Sequence, residues 1–250
     1  MDLLINAGIY RNRNLGEPAL AAIIQEDIGA NPEDPHSDAH GTFSFDIANG
    51  ACGVLTGIQV ADGFLRSHTV SRALVVASDA DPGRGKSERF PFSPVGAALL
   101  CRWSDDNDGL GQFHWTNLPD DGENFRATIA FDESGNVLRF RESAALHIKL
   151  ATAGAQAVRR CLDEAALDLS DVAVIVAAPA NHRYHQELGE RLGVAVERIA
   201  VANDEHIHTA ALVAALEREA LTAPAGAQIL LVTAGAGIVA GAALYRMPAG

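Results

Sequence analysis

Two residues in this chain have both a reactive side chain and a position that makes it useful, Cys52 and His208. Cys52 stands in FDIANGACGVL, after a strand-like run and a turn of small residues, where a helical pattern begins. Unpaired backbone N–H groups and the positive end of the helix dipole at such a place favour thiolate over thiol. They also offer a donor to an oxyanion forming on a bound thioester. A cysteine in an apolar helix is equally well read as an inert core residue. His208, with His206 two residues earlier, opens the helical run HTAALVAALEREAL. A single imidazole there can deprotonate a thiol, hydroxyl or amine, or can serve only as a polar helix-start residue. His182 and His185 fall on the amphipathic segment NHRYHQELGERLG, where a solvated face is expected. The remaining cysteines, Cys101 in AALLCRW (a buried strand) and Cys161 in AVRRCLDEAAL (a helix), read as small core residues. The three thiols have no metal-type spacing, and no metal site is expected.

The elements that must position these residues alternate between strand-like and helix-like runs, the pattern of an α/β chain with largely parallel sheets. DLLINAG, FSFDIA, ALVVASDA and VGAALLCRW read as strands, with helices in EPALAAIIQEDIGAN and CGVLTGIQVADGFL. From Ser104 to Gly135 the texture turns polar and turn-rich, which predicts a connecting excursion outside the core. A long helix from about Ala144 to Leu167 then opens a second block, followed by strand VAVIVAAP, helix NHRYHQELGERLG, strand RIAVAN, helix HTAALVAALEREAL and strand QILLVTAG. The second block repeats the first: DLLINAG answers to VAVIVAAP, FSFDIA to RIAVAN and ALVVASDA to QILLVTAG. The helix starting near Cys52 then corresponds to the one starting near His208. Such a duplication predicts two similar halves about a pseudo-twofold, with a site where the two helix starts meet. The boundaries expected are 1–104, a connection at 105–134, and 135–250.

Composition narrows the classes. With 250 residues, 48% of them hydrophobic, the chain can bury a sizeable core. A net charge of −13, with no Lys/Arg cluster, argues against a nucleic-acid partner. The opening MDLLINAG lacks a basic n-region, and no apolar run reaches bilayer-spanning length, so a cytoplasmic setting with free thiols and no membrane partner is expected. The glycine-rich GAGIVAG from Gly235 to Gly241 superficially matches a dinucleotide fingerprint. A Rossmann unit needs a further helix, strand and acidic ribose partner after it, and none follows, so it reads as a tight turn between strands.

FDIANGACGVLTGIQVADGFL followed by ALVVASDA resembles the nucleophile region of the type III beta-ketoacyl-ACP synthases of the thiolase superfamily. GAQILLVTAGAGIVAGAALYR resembles their final two strands, and LHIKLATAGAQAVRRCLDEAALDLSDVAVIV the opening of their C-terminal half. The resemblance implies a thiolase-like fold, two similar α/β halves layered α/β/α/β/α. It also implies acyl transfer or condensation from an acyl-CoA or acyl-carrier-protein thioester, in lipid or polyketide biosynthesis, without a cofactor. By it Cys52 is the nucleophile, the N–H groups of Cys52 and Ala236 form the oxyanion hole, and Asn181 and Gly235 are possible supporting residues.

The chain departs from the family pattern in three places. The family histidine of a His-Gln-Ala-Asn segment is replaced by Ala178 of Ala178-Pro179-Ala180-Asn181. The family asparagine of Gly-Asn-Thr is replaced by His208 of Ile207-His208-Thr209. Together those family residues stabilise the enolate of decarboxylative condensation, so that step is doubtful here and simple acyl transfer is expected, with His208 as base. Members also carry several dozen residues before the strand matched by DLLINAG, which makes the N-terminal half incomplete by that measure. A homodimer, or a heteromer with a homologous subunit supplying the missing elements, is therefore expected. The rival readings are a non-catalytic or regulatory partner subunit and an acyl-thioester hydrolase.

Overall fold

The computed structural model of the chain describes residues 1–30, 41–132 and 135–249. The first half contains β1 (Leu3–Asn6), α1 (Leu20–Asp27), β2 (Phe43–Asp46), α2 (Gly53–Arg66), β3 (Ala73–Ser78) and β4 (Gly96–Cys101). Its sheet runs β2-β1-β3-β4, with β1 parallel to β2 and β3, and β4 antiparallel to β3. β5 (Gly109–Asn117) follows, then a hairpin of β6 (Phe125–Asp132) and β7 (Gly135–Glu142). The remainder is α3 (Leu146–Ala165), β8 (Val174–Ala178), α4 (His182–Leu192), β9 (Ile199–Ala200), α5 (Ala211–Ala220), β10 (Gln228–Gly235) and β11 (Val239–Arg246). The second sheet runs β5-β11-β10-β8-β9.

The repeat expected from sequence is present in the pairings. β8 lies parallel to β9 and β10, and β11 antiparallel to β10, which reproduces β1 with β2 and β3, and β4 with β3. One apolar cluster joins Leu3 and Ile5 of β1, Leu55 and Ile58 of α2, Leu212 of α5, and Ile229 and Leu231 of β10. Helices α2 and α5 are therefore the middle layer between the two sheets. A second cluster packs Leu150, Val158, Tyr184 and Leu188 of α3 and α4 on the other face of the second sheet, against Ile175, Leu230 and Val232. α1 lies against β1 and β2 and completes the α/β/α/β/α layering.

Local chemistry explains how these layers meet. Beside the buried Gly53 and Gly57, α2 carries its buried side chains at 54, 55, 58, 61 and 65, one stripe of a 3.6-residue period. Gly57 lets it approach the sheet, since a Cβ there would lie 2.9 Å from Val75 Cγ1. α1 has no side-chain cap of its own. Asp46, at the end of β2, supplies one instead, its two carboxylate oxygens accepting from the N–H groups of Leu20 and Ala21 at 2.8 Å each.

Two expectations are corrected. The segment 105–134 is not only a connection, because it holds β5, which pairs with β11 along its length in the second sheet. Its glycines and polar residues hid a strand with one outward face. β4 was expected to be buried. Instead its residues alternate between exposed and half-buried, with Leu100 65% exposed, and no strand among the described residues pairs with its outer edge. No helix among the described residues is long and apolar enough to cross a membrane.

Candidate active site

The two halves meet around a cleft of ≈ 1450 Å³. Its floor comprises the turn at Asn49, Gly50 and Ala51 before α2, the end of β10 at Ala234–Ala236, and the loop from Glu205 to His208 before α5. Its sides come from Phe90–Ser93, the β6–β7 hairpin, and the first turn of α3.

Cys52 is not in the cleft wall. Gly50–Cys52 form a single 3-10 turn, with Gly50 at φ +51°, and α2 continues from it. Successive helical side chains diverge by roughly 100°. Ala51 therefore faces the cleft and Cys52 faces the protein. The thiol is fully buried, donating to the carbonyl of Val239 at 3.5 Å and lying beside the Thr233 hydroxyl. Gly235 closes over it, since a Cβ at that position would already touch Sγ at 3.4 Å. Burial pushes the Cys52 thiol up from 9.0 to about 12, with Thr233 pulling weakly the other way. Desolvation therefore opposes the preference of a helix start for the thiolate. Its backbone N–H is also engaged, donating to the Asn49 carbonyl at 3.0 Å. In this geometry the Cys52 thiol is enclosed and its N–H is engaged within the turn.

His208 does face the cleft, and it has a partner that the sequence reasoning missed. Its Nδ1 lies 3.2 Å from Asp79 Oδ2, just past the end of β3. The same oxygen accepts from the Thr209 N–H at 3.1 Å and the Thr209 hydroxyl at 2.7 Å. Oδ1 accepts from the N–H groups of Ile9 and Tyr10 at 3.1 and 3.0 Å. Gly8 makes that cradle possible: a Cβ there would lie 2.1 Å from the Ser78 carbonyl, so only glycine lets the chain after β1 cross the end of β3. Burial acts to raise the Asp79 carboxyl, but the hydrogen bond and charge of His208, the Tyr10 N–H and Thr209 override it and hold it at about 2. An ionised carboxylate only accepts, so the shared proton belongs to His208 Nδ1. Nε2 is then the ring's basic atom, and it faces the Gly50 turn, 3.6 Å from where a Gly50 Cβ would stand.

The other expected residues are arranged around this dyad. Ala236 lies exposed in the β10–β11 turn at the cleft, and its N–H donates to no group among the described residues. Asn181 also lines the cleft, its Oδ1 capping α4 by accepting from the N–H groups of Arg183 and Tyr184. His206 lines the cleft from an exposed position, its carbonyl accepting from the Ser93 N–H at 3.0 Å. Ala178 ends β8 fully buried. His182 is exposed as expected. His185 is half-buried, with Nε2 at 3.0 and 2.8 Å from the carbonyls of Val196 and Ile199, bracing β9 rather than facing solvent. His147, at the first turn of α3, also lines the cleft; burial lowers its pKa, Glu142 acts to raise it, and Arg183 adds to the lowering. An imidazole clamped at Nδ1 by a carboxylate and open at Nε2, beside a turn with an unengaged N–H, is equipped for proton transfer at a carbonyl.

Two stacked α/β halves with the site at their junction define the chain as a thiolase-like fold. The family described as 3-Oxoacyl-[acyl-carrier-protein (ACP)] synthase III C terminal matches residues 162–247. The chain is 29% identical over 216 residues to the 3-oxopimeloyl-[acyl-carrier-protein] synthase of Rhodothermus marinus, covering 80% of this chain and 63% of that protein. It is 25% identical over 257 residues to the beta-ketoacyl-[acyl-carrier-protein] synthase III of Aquifex aeolicus, covering 98% of this chain and 77% of the relative. Its structure is similar to the 3-oxoacyl-(acyl carrier protein) synthase III of Pseudomonas aeruginosa PAO1, with a TM-score of 0.80 at 22% identity over 99% of this chain and 77% of that one. The priming beta-ketosynthase of the R1128 polyketide pathway gives a TM-score of 0.79 at 19% identity, over 99% and 75%. The chain is thus similar to type III beta-ketoacyl-ACP synthases over most of its length, and its C-terminal part matches their family model.

Proposed function

We propose that this chain binds an acyl-CoA or acyl-carrier-protein thioester in the cleft and transfers the acyl group directly to a hydroxyl, amine or water, without an acyl-cysteine. The observation that carries this reading is the Asp79–His208 pair, with Nε2 turned to the cleft floor. In the step, His208 Nε2 takes the proton of the acceptor as its oxygen or nitrogen attacks the thioester carbonyl. The carbonyl oxygen gathers charge opposite the Ala236 N–H. Collapse expels the pantetheine thiolate, which recovers the proton from the imidazolium, so that the protein is regenerated. Asp79 keeps the ring in the tautomer that makes Nε2 the base. Malonyl decarboxylation is expected to be weak, since Ala178 offers no second polar group.

The test is turnover of a panel of acyl-CoA and acyl-carrier-protein donors with hydroxyl and amine acceptors, followed by thiol release and intact-protein mass. His208→Gln is expected to lose roughly 10²- to 10⁴-fold in rate. Cys52→Ala is expected to keep wild-type turnover, and no acyl adduct should appear on the protein. An acyl adduct on Cys52 would overturn the reading.

The turned-away thiol and Ala178 support a second reading, a non-catalytic subunit that keeps the thioester cleft and pairs with a competent homologue. Saturable thioester binding with no turnover against any acceptor, restored only on adding such a partner, would select it.

A further inference from the structure

Asp79 fixes one atom of the His208 ring. A single hydrogen bond at Nδ1 leaves the imidazole free to pivot about that bond and swing Nε2 away from the Gly50 turn. A second constraint on the plane is needed, and it is present. The Phe92 ring lies face to face with the imidazole, centroids 4.2 Å apart and planes within 15°. Phe92 is itself wedged. Phe90 and Phe140 meet it edge-on, at 5.6 Å and 86° and at 5.7 Å and 88°. Tyr10, whose N–H binds Asp79, stacks on it at 5.3 Å and 16°. The two segments are also bolted together, Ser93 N–H donating to the His206 carbonyl at 3.0 Å and Ser93 Oγ to Asp204 Oδ2 at 2.6 Å. Phe92 is only half-buried and lines the cleft, so filling the core does not account for it.

We infer that Phe92 is a positioning residue for His208, a flat backstop that holds the imidazole plane so that Nε2 stays aimed at the Gly50 turn where the thioester carbonyl binds. The functional consequence rests on the proposed acyl transfer, whereas the orienting contact does not, and the two are tested by separate readouts.

The orientation is read by NMR on histidine-labelled protein, with the His208 ring signals assigned by their loss in His208→Gln. In the wild type the ring C–H groups should relax as a rigid body and show an Overhauser contact to the Gly50 Hα protons. Phe92→Leu keeps apolar volume but removes the flat face. It is expected to mobilise the ring, erase that contact and lower kcat about three- to ten-fold, the range of a lost aromatic stack. KM for the thioester should change less than about two-fold, the smaller share of that loss. Phe92→Tyr and Phe92→Trp should restore both readouts. Thermal melting checks each variant, and Phe92→Met replaces the leucine variant if that one fails to fold. A rigid His208 ring with its Gly50 contact intact in Phe92→Leu or Phe92→Met overturns the proposal, as does a loss of activity confined to KM. A mobilised ring in a protein with no turnover at all upholds the positioning role and sinks the acyl-transfer reading instead.

Discussion

One residue of helical phase separates the side chain that lines the cleft from the thiol beneath it. Ala51 and Cys52 are neighbours in the same 3-10 turn, yet only Ala51 reaches the cleft. All three thiols are pushed up by burial, Cys52 to about 12 and Cys101 and Cys161 to about 11. Reactivity follows thiolate fraction and access. Cys52 and Cys161 are buried and Cys101 is half-buried. Iodoacetamide at mildly alkaline pH should therefore label Cys101 first and Cys52 last, as peptide mapping will report; preferential labelling of Cys52 would show that its thiol reaches solvent. Asp79 carries a second prediction. Its carboxyl is held at about 2 in the folded protein against 3.8 ordinarily. A depressed acid stabilises the fold above its unfolded pKa and loses that contribution as pH falls through the folded value. About 2 kcal/mol should thus be present above pH ~4 and disappear toward pH ~2. Urea unfolding across that window should show a steeper loss for the wild type than for Asp79→Asn; equal slopes would refute the assignment.

At the scale of elements, much of the fold was legible and the site less so. Alternating and continuous apolar runs announced both sets of repeated strands and their common order along the chain, whereas the order in which they pair, β2-β1-β3-β4 and its counterpart, comes from the structure. β5 was not legible: its sequence GLGQFHWTN is interrupted by glycine and polar residues, and its burial comes from α3 and β11, contacts distant in sequence. Asp79 was visible as the end of ALVVASDA, but its partner lies 129 positions away, a distance that pattern cannot bridge. The side of the turn on which Cys52 falls was likewise invisible, because the 3-10 turn resets the phase on which a helical pattern depends. β5 also makes a testable tie between the halves. Trp115 donates from Nε1 to Gln59 Oε1 of α2 at 2.7 Å and packs its indole against Gly241 of β11. A Cβ at 241 would stand 2.6 Å from the indole, so Gly241→Ala must displace the ring. The expected cost is about 1–3 kcal/mol of stability. Urea titration followed by tryptophan fluorescence checks it, and unchanged stability would mean that the ring moves without loss.

At the scale of the whole molecule, the two sheets are alike in order but unequally covered. In the second, β5 pairs with the outer edge of β11, whereas among the described residues no strand pairs with the outer edge of β4, its counterpart in the first. Beside that open edge Leu100 is 65% exposed, and Trp103, with Arg66 over its ring at 5.6 Å, is 37% exposed. At the opposite edge, on β2, Phe43 is 57% exposed and packs against Phe45 and Phe64. Unpaired edges flanked by apolar side chains are pairing sites, and isolated soluble chains usually blunt them with charge. The chain is therefore expected to work as an assembly, a homodimer or a heteromer with a homologous subunit, that covers the first sheet and buries on the order of 2,000 Å². Light scattering of the protein alone at micromolar concentration, and of mixtures with homologous chains, separates the two. Lysine at Leu100 or at Phe43 places a charge on one edge each. The substitution at the edge that pairs should weaken assembly by at least about ten-fold, while the other leaves it unchanged. A monomer at micromolar concentration, active alone and indifferent to both substitutions, would refute the expectation.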